Sequence, residues 1–105
     1  MKLQVGAVWW TVELVDPIHM GNNEGECLDE ACLIRINKAQ APERILETLT
    51  HELLHACWSE SGLGSDSHGE ERVVGALNPL WLGLWRNYGV DILGFPSRVE
   101  SGEVG

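Results

Sequence analysis

Thr50-His51-Glu52-Leu53-Leu54-His55-Ala56-Cys57-Trp58 sets two histidines four residues apart, with a glutamate directly after the first. On a helix, positions i and i+4 lie one turn apart on the same face, so both imidazoles can reach one cation. Glu52 then sits beside them, within reach of a proton on water. The pattern is H-E-x-x-H, the ligand-and-base arrangement of zinc hydrolases. It works only on a helix, so it makes the middle of the chain helical, and the flanks are read outward from it.

Pro42 suits a first helical turn, and Glu43 and Glu47 suit the positive end of a helix, which predicts a helix from about Pro42 to Trp58. At about 100° per residue, Ile45, Leu46, Leu49, Leu53 and Ala56 form an apolar stripe that would pack on a sheet. His51, His55 and Thr48 fall on roughly the opposite side, with Glu52 on the border.

Upstream, Lys2 to Val15 is rich in β-branched and aromatic residues. Val8, Trp10, Val12 and Leu14 alternate with Trp9, Thr11 and Glu13, predicting a strand with one buried face that Asp16-Pro17 ends. His19 to Gly25 reads as a loop, and His19 as a solvated loop histidine. Glu26 to Asn37 reads as a hairpin, with Leu28-Asp29-Glu30-Ala31 near its turn and Cys32, Ile34 and Ile36 on one face of the returning strand. The strand Leu33 to Asn37 is expected to offer an edge to an extended peptide.

Downstream, Ser59 to Asp66 is a loop by composition. Asp66 or Ser67 can cap a second helix, with Glu70 and Glu71 in its first turn. That helix should run to about Tyr88 with Val73, Val74, Leu77, Leu80, Trp81 and Leu84 as its stripe. Pro79 should kink it and Gly89 end it. Ile92, Leu93 and Phe95 are expected to join the core, and Ser101 to Gly105 to fray.

With 105 residues, 44% of them hydrophobic and five of them Trp, the chain can build one modest core, which predicts a single domain over 1–105. A formal charge of -9 with no Lys/Arg cluster speaks against nucleic acid. No signal peptide is recognisable and no apolar run approaches the roughly 20 residues that span a bilayer, so the expected location is cytoplasmic, without membrane attachment. Cys27, Cys32 and Cys57 are too few and too irregular for a disulfide framework and are expected to be reduced.

A catalytic zinc takes three protein ligands and leaves one position for water. Glu70, Glu71 and His68 are the candidates for the third. Glu70 lies at i-4 to Val74 and i-7 to Leu77, so helical direction points it inward and favours it. Glu71 is one position further round, and the direction of His68 in the turn is open. No residue is assigned to an oxyanion, although His68 and Tyr88 are available types.

The run Thr48-Leu49-Thr50-His51-Glu52-Leu53-Leu54-His55-Ala56, then Glu70-Glu71-Arg72-Val73-Val74-Gly75-Ala76-Leu77, then Leu84-Trp85-Arg86-Asn87, resembles the small metallopeptidases of bacteriophages and prophages. These are related in outline to minimal zincins such as the ImmA/IrrE-like peptidases. The resemblance covers roughly residues 26 to 88. It implies one zinc ion on His51 and His55, Glu52 as catalytic acid/base, and a glutamate of the Glu70-Glu71 pair as third ligand. His68-Gly69 is also similar to the His-Gly of SprT-like proteases, with a poorer fit of spacing.

The expectation is an α+β, minimal zincin-like domain: a small antiparallel or mixed sheet packed on the H-E-x-x-H helix and a second, C-terminal helix. Its activity would be zinc-dependent hydrolysis of peptide bonds in a peptide or protein substrate, with His51, His55 and Glu70 on the metal and Glu52 as base. The competing expectation is a zinc-binding interaction module on the same scaffold with little or no turnover. A retained Glu52 favours the enzyme, since a structural site needs no base, whereas surface placement of Trp9, Trp58 or Trp85 would favour a binding face.

Overall fold

The computed structural model describes residues 1–64 and 67–94. The expectations for Phe95, for the side chains of Ile92 and Leu93, and for Ser101 to Gly105 lie outside what it describes.

The amino-terminal stretch, expected as one strand, is a hairpin of β1 (Lys2–Val5) and β2 (Val8–Val15). Gly6, at φ +63, turns the chain in a left-handed conformation that a Cβ would disfavour. Val5 and Val8 pair directly across this turn, so β-branched residues run through it and hide it. After a short 3-10 turn at Pro17–His19, β3 (Gly25–Leu28) and β4 (Leu33–Asn37) form the expected second hairpin. Cys32 closes its turn at φ 48, an uncommon conformation for a residue other than glycine.

The sheet order is β1-β2-β4-β3, with β2 and β4 parallel and both outer pairs antiparallel. The domain is therefore α+β with a mixed sheet. β4 is interior, bonded on both sides by β2 and β3. It cannot take a peptide along an edge as expected, and the free edges belong to β1 and β3.

Trp10, Ile34 and Ile36 are fully enclosed at the centre of the core, with Val5, Val12 and Ala56 around them. The Trp10 indole N–H donates to Glu60 Oε2 at 2.9 Å, so its one polar atom is satisfied and ties the sheet to the end of the helix above. Leu14, on the same face by alternation, is 60% exposed.

Two helices follow, α1 (Pro42–Glu60) and α2 (Ser67–Gly94). α1 lays Ile45, Leu49, Leu53 and Ala56 on the sheet as expected, but Leu46 stays outside. α2 packs on α1 in the opposite direction. Asn78 Nδ2 donates to the Glu47 carbonyl at 3.3 Å and Arg86 to the Glu43 carbonyl at 3.5 Å, while the first turn of α2 meets His55.

The buried face of α2 is Val74, Asn78 and Leu82, spaced i, i+4, i+8. Of the expected stripe, Val73, Leu77, Leu80 and Leu84 are exposed. The helix also passes through Pro79, and through Gly89 without a positive φ, to reach Gly94. Among the described residues no helix is long and apolar enough to cross a membrane.

Candidate metal centre

Thr48, Glu52 and His55 are each only 7% exposed, although the wheel put Thr48 and His55 opposite the apolar stripe: β3 lies against Thr48 and Glu52 at Gly25, and the first turn of α2 closes on His55. A helical wheel that assumes one packing partner misplaces residues on a helix that has two.

His51 Nε2 and His55 Nε2 lie 3.3 Å apart, as the i, i+4 spacing dictates. Glu71 Oε1 is 3.3 Å from the same His55 nitrogen. Ligand atoms of His51, His55 and Glu71 all lie within 4.8 Å of one another. Glu70, the expected third ligand, instead places Oε2 against Nδ1 of His55, on the other side of the ring. Glu70 does point inward, in line with Val74, Asn78 and Leu82, its side chain 18% exposed against 67% for Glu71, but it meets the rear nitrogen of the ring rather than the convergent atoms.

A neutral His55 ring that donates Nδ1–H to Glu70 has its lone pair on Nε2, facing the Glu71 carboxylate and the Nε2 of His51. A cation among these atoms would offset the carboxylate, as would a proton on that nitrogen. Tetrahedral zinc, with bonds of about 2.0–2.1 Å to nitrogen, holds neighbouring ligand atoms about 3.3 Å apart. The two observed 3.3 Å separations match that requirement, and a carboxylate behind a ligating histidine is the usual outer support. The donor types suit zinc, with two of the three separations near that value and all within 4.8 Å.

Burial, and next the adjacent His55, push the His51 pKa below the ordinary 6.5, so the ring is neutral near pH 7. Burial pushes the Glu52 carboxyl up from 4.5, with Glu71, Glu26 and Glu70 adding repulsion against the attraction of His55. Glu52 lines two polar cavities, one of ≈ 220 Å³ with Glu24, Gly25, Glu47, Thr48, His51 and Asn78, and one of ≈ 190 Å³ with Cys27, Asp29, His55, Glu70 and Glu71. The Cys27 thiol donates to Asp29 Oδ1 at 3.3 Å, and burial together with that carboxylate raises its pKa, keeping it protonated.

His19 and His68 are both exposed, and neither belongs to the convergent set. Tyr88 lies seventeen positions along α2 from Glu71, about 25 Å at the helical rise, which removes it as an oxyanion donor. From sequence alone Gly25 reads as loop, but it heads β3. A Cβ there would come 2.5 Å from Thr48 Cγ2 and 3.2 Å from Glu52 Oε2, so the missing side chain is what lets β3 pass beside the glutamate. Its only sequence signal is a glycine at the head of a strand. Compared with family models, curated proteins and solved structures, the chain gives no match.

Proposed function

We propose that this protein is a zinc-dependent peptidase in which His51, His55 and Glu71 hold the ion and Glu70 holds the His55 ring. The observation that carries the reading is the convergence of two imidazole nitrogens and a carboxylate oxygen, with the rear nitrogen of His55 already engaged by a second carboxylate. This moves the third-ligand role from Glu70 to its neighbour. Zinc bound there acidifies water and polarises a carbonyl group.

The remaining chemistry belongs to Glu52. Its carboxylate, enclosed between the two cavities, takes a proton from water and returns it to the nitrogen of the departing amine. The raised pKa brings this carboxyl closer to neutrality, where one group can both accept and release a proton. An extended peptide would pair along β3, the free sheet edge whose Gly25 abuts Glu52. The two cavities would receive side chains on either side of the scissile bond.

Metal analysis and turnover test the two halves of the reading separately. Purified protein should carry one zinc per chain, and chelation should lower its melting temperature. If His55 merely carries a proton between two carboxylates, zinc will be absent and chelator without effect. With zinc bound, wild type should cleave members of a peptide library that Glu52→Gln leaves intact. Equal inertness of both would move the reading to a zinc-binding interaction module.

A further inference from the structure

Helix α2 has two apolar faces, and α1 covers only one. Val74, Asn78 and Leu82 point to α1. About a third of a turn round the helix, Val73, Leu77, Leu80, Leu84 and Tyr88 form a second line, 40 to 67% exposed, that extends about 22 Å along the axis. From Val73 to Trp85 there is no charged residue on any face. A helix segment of that kind is ordinarily covered on most sides.

We propose that this line is the interface of a homodimer, with the α2 helices of two copies packed antiparallel about a two-fold axis between Leu80 and Trp81. About that point Val73 of one copy falls opposite Tyr88 of the other and Leu77 opposite Leu84, while Leu80 lies beside the axis and faces Trp81, which is half-buried and off the line. Such self-complementarity is what a two-fold interface requires, since one patch must fit its own copy. A partner of unrelated sequence imposes no such symmetry.

Charge and area agree with this occupant. A chain of net charge -9 repels its own copy, so association needs a contact strip free of carboxylates, and 73–85 supplies one bounded by Arg72 and Arg86. Five half-exposed side chains per copy, each showing on the order of 100 Å², would remove on the order of 1,000 Å² in the pair, where specific interfaces begin. The dimer would also brace α2. Its packing on α1 leaves Asn78 Oδ1 and Trp81 Nε1 without hydrogen-bond partners among the described residues, and the same helix carries Glu70 and Glu71.

Sedimentation velocity on the full chain at tens of micromolar, with and without zinc, tests the idea independently of catalysis. The expected result is twice the chain mass of 11.6 kDa in both conditions. Leu77→Glu/Leu84→Glu should sediment as a monomer with an unchanged circular dichroism spectrum. Should that variant misfold, Leu80→Cys serves instead. Its thiol lies near the axis and should give an oxidised, reducible dimer well above the wild-type background. A monomeric wild type overturns the proposal, as does a dimer that survives the double substitution or that Leu80→Cys fails to crosslink.

Discussion

The five residues of H-E-x-x-H supply two candidate ligands and a candidate base, but the task proposed for each glutamate on α2 depends on which edge of one imidazole it meets. Glu70 is the enclosed one, its side chain 18% exposed against 67% for Glu71, and it sits on Nδ1 of His55. Removing it should free the ring to rotate or change tautomer while leaving three ligands in place. Glu70→Gln should therefore weaken zinc about 10–100-fold, the usual cost of losing an outer carboxylate. Glu71→Gln should weaken it further. Competition titration against a chromophoric chelator measures both, and a larger loss at Glu70 would return the ligand role to that residue. Glu52 makes a different prediction. Burial raises its pKa above 4.5, so the folded state favours the protonated carboxyl; that stability is full below pH 4.5 and is lost as pH rises through the folded value. At pH 7 the buried charge opposes folding. Glu52→Gln should raise the melting temperature of the metal-free protein by a few degrees, yet lower turnover by about 10²–10⁴-fold. Loss of turnover with no gain in stability would mean the carboxylate is better solvated than its burial implies.

How much each element revealed in advance depended on how many neighbours it has. Strand and helix types were legible because alternation and the i, i+3, i+4 pattern report a single buried face, and β2, β4 and α1 each have one against the core. What stayed hidden required a second neighbour. The packed side of α2 could not be told from its uncovered one, since Val73, Leu77, Leu80 and Leu84 are as apolar as Val74 and Leu82. Nor could the sequence show that β4 is interior, because the parallel pairing of β2 with β4 is a long-range event. Gly25 belongs to the same class, its reason lying on another element. Gly25→Ala should cost about 1–3 kcal/mol through overpacking of β3 against α1. The clash is specific, 2.5 Å to Thr48 Cγ2, and Thr48→Ser deletes that methyl while keeping the hydroxyl that donates to Gln40 Oε1. The double variant should recover most of the lost stability in thermal melts. Turnover should stay low, because the 3.2 Å approach to Glu52 Oε2 remains. If Thr48→Ser restores nothing, the tight contact lies elsewhere.

Across the molecule, an acidic chain gathers Glu52, Glu70 and Glu71 around two histidines, and the repulsion that Glu70 and Glu71 exert on the buried Glu52 opposes folding without a cation. Two independent titrations follow from that. Salt screens charges over about 10 Å at 0.1 M, so the metal-free protein should gain melting temperature as sodium chloride is raised, and bound zinc should shrink the gain. Proton linkage runs the other way at His51. Its folded pKa lies below 6.5, so its contribution is full above pH 6.5 and is lost as pH falls through the folded value, where the unfolded chain binds the proton more readily. Zinc demands the same neutral ring and should steepen this loss, because acid then expels the ion as well as charging the imidazole. Denaturant unfolding of Glu52→Gln between pH 7.5 and 5, with and without zinc, isolates the histidine contribution from the opposing carboxylate. The expected outcome is a modest fall without metal and a much steeper one with it. Parallel curves would show that the ion and His51 do not share a site.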